Sequence, residues 1–177
     1  MHDLLPVAMI FACCASARAE DMVRLEDCLA AVAEVKAGRY VKVEFLSVSH
    51  RGGPSYEFEV LDARGREWEL MCSALTGRIY EIEQEVESPA DPLFAQRMKI
   101  TETQARQTAL GLYPGRLRAI EYEIESNGDP TFELDIADPD GHQFKIEVSA
   151  ITGDVIEVHV EDWEIGMEPD ERVPRNN

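Results

Sequence analysis

Displaced by 76 residues, the sequence superimposes on itself. Tyr56-Glu57-Phe58-Glu59-Val60 falls on Phe132-Glu133-Leu134-Asp135-Ile136, Gly65 falls on Gly141, and Ser73-Ala74-Leu75-Thr76-Gly77 falls on Ser149-Ala150-Ile151-Thr152-Gly153. Between these blocks Trp68, Leu70 and Cys72 meet Phe144, Ile146 and Val148, and further on Glu81 and Glu85 meet Glu157 and Glu161. Upstream, one more residue of offset brings Gly38, Val43, Glu44 and Phe45 onto Gly115, Ile120, Glu121 and Tyr122. Self-similarity at a fixed period marks one supersecondary unit used twice. The two halves are therefore expected to fold alike.

Within each copy, apolar and polar residues alternate with period two, the pattern of strands with two unlike faces. In the second copy the apolar sets are Ile120, Tyr122 and Ile124; Phe132, Leu134 and Ile136; Phe144, Ile146 and Val148; and Ile156, Val158 and Val160. The alternate positions are mostly Glu, Asp, Gln and Lys, which this pattern assigns to solvent. Asn127-Gly128-Asp129-Pro130, Asp138-Pro139-Asp140-Gly141 and Thr152-Gly153 supply the Gly and Asx residues that tight reversals require. An antiparallel meander follows.

A one-faced sheet needs a cover, and a helix precedes the first strand of each copy. Leu25, Cys28, Leu29, Val32 and Val35 form the first stripe, ending before Gly38. Thr101 and Gln104 fit a capping box ahead of Ala105, Ala109 and Leu112, and Pro114-Gly115 ends that run. The predicted class is α+β, in two tandem repeats, each one helix packed on a three- to four-stranded antiparallel meander sheet. The expected boundaries are a signal peptide over 1–19, repeat one over 20–86, a proline-containing linker over 87–99, repeat two over 100–162 and an acidic polar tail over 163–177.

The N-terminal expectation rests on an apolar run from Leu4 to Ala12, too short to span a bilayer. Ala17-Arg18-Ala19 follows it with small residues where a signal peptidase reads, although Met1-His2-Asp3 lacks the usual basic start. Ile10-Phe11-Ala12-Cys13 offers a second reading, a lipoprotein anchored through Cys13. Either places the mature chain in the periplasm or outside the cell, without a membrane-spanning segment.

Thirty-five acidic residues against 17 basic ones give a net charge of −18. Such a field repels phosphate backbones and excludes nucleic acid as a partner. The simplest account of the acid is a solvated strand face, and the sharper one is attraction to basic proteins or divalent cations. His2, His50, His142 and His159 show no metal-ligand spacing, and His159 is expected to face solvent on its strand. Asp138-x-Asp140-Gly141 with Glu147 matches part of a calcium loop, but in a strand context a hairpin turn explains the same residues. These three are the weak metal candidates; no metal, cofactor or catalytic residue is expected. Cys28, on the helix stripe, and Cys72, on the apolar strand face, point into one core. They are read as a disulfide or as a pair of buried thiols.

A helix ending in Gly, a Tyr-x-Phe strand, an Asp/Gly turn and a strand closing in Ser-Ala-x-Thr-Gly together resemble the PepSY domain. Tyr56 to Val60, Gly65 and Ser73 to Gly77 carry the resemblance in one copy, and Phe132 to Ile136, Gly141 and Ser149 to Gly153 in the other. Ser73 and Ser149 stand where family members usually show Asp. The resemblance implies a non-enzymatic protein- or peptide-binding module that binds or inhibits a peptidase or another envelope protein. It transfers no catalytic residue. The alternative is cation or small-ligand binding at the acidic sheet surface or in the groove between the repeats, using Glu57, Glu59, Glu133 and Asp135.

Overall fold

The computed structural model describes residues 22–50 and 53–166. The expected signal peptide, Cys13 and residues 167–177 of the expected tail lie outside the described residues.

Helix α1 (Leu25–Val35) leads into β1 (Arg39–Val48), β2 (Ser55–Leu61), β3 (Glu67–Ser73) and β4 (Ile79–Glu85). A short helix α2 (Pro92–Ala95) and helix α3 (Glu102–Leu112) then precede β5 (Arg116–Ile124), β6 (Pro130–Ala137), β7 (Gln143–Ser149) and β8 (Val155–Gly166). Helix α3 starts at the capping box: Gln104 N–H donates to Thr101 Oγ1, and Gln104 Oε1 accepts from Thr101 N–H at 2.8 Å. The β2–β3 and β6–β7 turns are built alike. Asp62 accepts from the amides of Arg64 and Arg66, and Asp138 from those of Asp140 and His142. Gly65 and Gly141 supply the positive φ that each turn needs.

The eight strands form one antiparallel sheet in chain order, and β8 returns to pair with β1, closing a barrel. Two separate meanders were expected. They fuse because β4 and β5 pair through Gln84↔Ile124 and Glu85↔Glu123, and because β8 outruns its expected end. Residues 163–166, assigned to the tail, are strand: Trp163 pairs with Phe45, Ile165 with Val43 and Gly166 with Lys42. After a register shift between Phe45 and Leu46 the apolar residues of β8 resume in the opposite parity, as Trp163 and Ile165 against Phe45 and Val43, which stabilises pairing where polarity alone suggested fraying.

The apolar faces point outward from the barrel, and the helices cover them. Cys28 and Val32 of α1 pack on Phe58, Val60, Leu70 and Cys72. Ala105 and Ala109 of α3 pack on Phe132, Leu134, Ile136, Ile146 and Val148. Phe94 of α2, within the expected linker, is wholly buried in this second core, 5.0 Å from Phe132 ring to ring. Burying a side chain of this size contributes roughly 1.5–3 kcal/mol, so the segment is structural as well as connecting. Val35, Leu112 and Ile156, assigned to apolar faces, are exposed. For Ile156 the reason is a register shift between Glu147 and Val148, which pairs Val148 with Val155 and turns the next residue away.

A disulfide joins Cys28 of α1 to Cys72 of β3, with Cα atoms 6.0 Å apart. The same places in the second half hold Ala105 and Val148, in contact through packing alone.

Candidate functional site

Closure of the sheet reverses the expected fate of its polar face. That face lines the inside of the barrel, and an eight-stranded barrel is only wide enough for side chains to fill it. Ten glutamates, from Glu44 on β1 to Glu161 on β8, are buried with Lys42, Lys145 and His159. By formal charge, these ten carboxyls against two ammonium groups account for eight of the eighteen net negative charges. Glu57, Glu59 and Glu133, assigned to a wet acidic surface, are part of this interior. The acidic surface reading is therefore corrected.

The lysines organise one side of the lumen. Lys145 Nζ stands 2.8 Å from Glu44 Oε2 and 3.0 Å from Glu133 Oε1, and it donates to Glu57 Oε1. Lys42 Nζ lies 2.6 Å from Glu44 Oε1 and 3.3 Å from Glu59 Oε1. Burial disfavours charge on Glu44, but the two ammonium groups outweigh it and hold the carboxyl at about 2. Burial likewise opposes charge on both lysines, and the surrounding carboxylates overcome it and raise both. Glu57 and Glu133 are pushed well above the ordinary carboxyl range, first by burial and then by neighbouring glutamates.

Beside the lysine side lies a second acidic group, which shares Glu133 with it. Carboxylate oxygens of Glu69, Glu121, Glu123 and Glu133 lie within 4.8 Å of one another. Burial, then Glu69 and Glu83, drive Glu123 well above the usual range, and its Oε2 has no hydrogen-bond partner among the described residues. The repeat explains the asymmetry. Lys145 is the 76-residue counterpart of Glu69, so one half supplies an ammonium where the other supplies another acid.

A third group sits at the barrel mouth formed by the end of β1 and the start of β8. His50, Glu157 and His159 bring ligating atoms within 4.8 Å of one another. His159 is fully buried, and its Nε2 lies 3.3 Å from both Glu147 Oε1 and Glu157 Oε2. Burial opposes charge on this ring, but the two carboxylates outweigh it and raise the imidazole to about 9. Burial and Glu157 raise Glu147 to about 7 against the hydrogen bond from His159. His50 Nδ1 contacts Glu157 Oε2 and lies 3.8 Å from Glu81 Oε2. The imidazole rings of His50 and His159 are 5.7 Å apart.

The residues singled out from sequence are distributed differently. Asp138 and Asp140 remain in the β6–β7 turn, where Asp138 is occupied by two backbone amides and His142. Glu147 stands across from Glu133, four residues down the neighbouring strand from Ala137 and about 13 Å away at strand rise. The structure thus does not bring Glu147 to the turn but to His159. His159, expected at the surface, is inside, because the solvent-side parity of β8 is the lumen side. Sequence reasoning missed Lys42, Lys145, His159 and the lumen acids as a set. One signal was available: charge changes sign or type between copies at Glu69/Lys145 and Glu83/His159, against a background of matched residues.

Residues 99–159 match the family PepSY, described as the peptidase propeptide and YPEB domain. This segment is similar to PepSY domains. No curated protein and no solved structure matches the chain. The matched segment takes in α3, β5, β6, β7 and the first part of β8, and ends on the buried His159. It contributes Lys145 and His159 to the lumen, while Lys42, Glu44 and Glu57 come from the half outside the matched span. The disulfide fits an oxidising compartment. No helix among the described residues is long and apolar enough to cross a membrane.

Proposed function

We propose that the chain is an exported, non-enzymatic interaction protein, two PepSY-like modules sharing one barrel, that binds and restrains a peptidase or another envelope protein. The PepSY match over 99–159 carries this reading. The first half supports it with the same helix-then-four-strands order and the 76-residue repeat.

The binding surface in this reading is the outer face of the β1–β8 seam. Helix α1 packs over β2 to β4, α3 over β6 and β7, and α2 against β5. At the seam Trp163 stacks on Phe45 with ring centroids 5.7 Å apart, and Trp163 and Ile165 remain 37% and 65% exposed. An exposed aromatic beside an exposed aliphatic is the composition of a protein contact. Docking through strand edges is a weaker route. Among the described residues every strand has neighbours on both sides, and the β4–β5 pairing, with two residue pairs, is the shortest.

The test is capture from an envelope and secreted fraction with a photo-crosslinking residue at position 165. A peptidase recovered with the wild type and lost with Trp163→Asp supports the reading. Recovery of no protein, or recovery indifferent to Trp163→Asp, overturns it.

A further inference from the structure

We infer that the barrel mouth is a binding site for one divalent transition-metal ion of the zinc class, held by His50, His159 and Glu157. Two imidazoles and a carboxylate with ligating atoms within 4.8 Å of one another are the donor set such ions prefer. Nitrogen donors select zinc, cobalt, nickel or copper over calcium and magnesium, which favour oxygen alone. Glu157 and His159 are two residues apart on β8, so strand alternation points both into the lumen and fixes their separation before any ion arrives. His50 closes the set from just beyond β1. Its side chain is 21% exposed, which leaves the ion a way in from solvent.

The contacts present do not complete the hydrogen bonding of this group. Both imidazoles approach the same buried oxygen, Glu157 Oε2, His159 from 3.3 Å. Glu147 Oε2 and His159 Nδ1 are buried without a hydrogen-bond partner among the described residues. Two imidazoles and a carboxylate with ligating atoms this close together are arranged as ligands around a point. A divalent cation there would also offset Glu157, Glu147 and Glu81, which converge on the two rings. Glu147, 3.3 Å from His159 Nε2, lies outside this three-donor set. The other carboxylate clusters, among them Glu69 with Glu121, Glu123 and Glu133, have oxygen donors only and are not part of this site.

The inference stands apart from partner binding, since the seam patch and the mouth use different residues. Its test is titration of the chelator-treated full chain with cobalt(II) and with zinc(II). The expected result is one equivalent of cobalt with visible absorption of a four- or five-coordinate site, displaced by zinc, and a melting temperature raised by zinc. His50→Gln and His159→Gln should each weaken zinc binding by at least about tenfold, while His142→Gln, at the exposed β6–β7 turn, leaves it unchanged. Should His159→Gln fail to fold, His50→Gln, at the partly exposed position, decides the matter. Absence of a one-to-one zinc complex, or equal losses for His50→Gln and His142→Gln, overturns the site.

Discussion

Lys145 occupies the position that Glu69 holds 76 residues earlier, and that exchange determines the electrostatics of one side of the lumen. A buried ion pair is weak grounds for stability when compared with an apolar isostere, but removing one partner leaves uncompensated charge. Lys145→Ala abandons Glu44, Glu57 and Glu133 at once. It is expected to lower unfolding stability by about 3–5 kcal/mol in urea titrations at neutral pH. A loss below about 1 kcal/mol would mean that the lumen carboxylates are already neutral without it.

The lumen also sets the pH response. Glu57, Glu123 and Glu133 titrate well above 4.5 in the folded chain. Between the unfolded and folded values the native state holds more protons, so stability falls as pH rises. Their contribution is complete below pH 4.5 and is lost upward through the folded values. Glu44, held at about 2, works in the opposite sense and loses its contribution only as pH falls below 4.5. Calorimetry from pH 5 to pH 9, with chelator present, should show a steadily falling melting temperature. Glu123→Gln, which keeps the shape and removes the charge, should raise the melting temperature at pH 8.5 and change it little at pH 5. A melting temperature that climbs with pH would contradict the buried acid assignment.

Among the elements, the two helices solve the same covering problem in different ways. Helix α1 is tied to β3 by the disulfide that closes the 44-residue separation from Cys28 to Cys72, while α3 relies on small residues that seat it closely on Phe132 and Ile146. Chain-entropy arguments give that loop about 3–4 kcal/mol, so Cys28→Ala with Cys72→Ala should lower unfolding stability by this amount in denaturant titrations. Where each copy enters its first strand, a glycine lies against the neighbouring chain. A Cβ on Gly38 would meet Val60 Cγ1 at 2.4 Å, and one on Gly115 the carbonyl oxygen of Ala137 at 2.5 Å. Gly115→Ala should therefore cost roughly 1–3 kcal/mol by overpacking, read as a shift in urea midpoint. The helix stripes, the turns and the glycines of both copies were legible because each depends on neighbours in sequence. Phe94 was not, since nothing local distinguishes a linker phenylalanine from a core one.

For the molecule as a whole, closure makes two repeats into one body. The β8–β1 pairing runs from Lys42↔Gly166 to Val48↔Val160, and the lumen ion pairs cross between halves, as Lys145 with Glu44 and Glu57. Neither half can open without exposing its share of the paired charges. Heating should therefore give a single transition whose calorimetric and van't Hoff enthalpies agree, rather than the two steps of independent modules. The sequence by itself determined the period of the repeat, the order of helix and strands, which residues share a face, and the facing of Cys28 and Cys72. These follow from spacing along the chain, which period two and period 3.6 record directly. Only the tertiary structure decided which face meets water, because alternation gives the parity of a strand and not the medium on either side of it. Once β8 paired with β1, the polar parity became the interior, and His50, Glu157 and His159, unremarkable in spacing, came within reach of a common point.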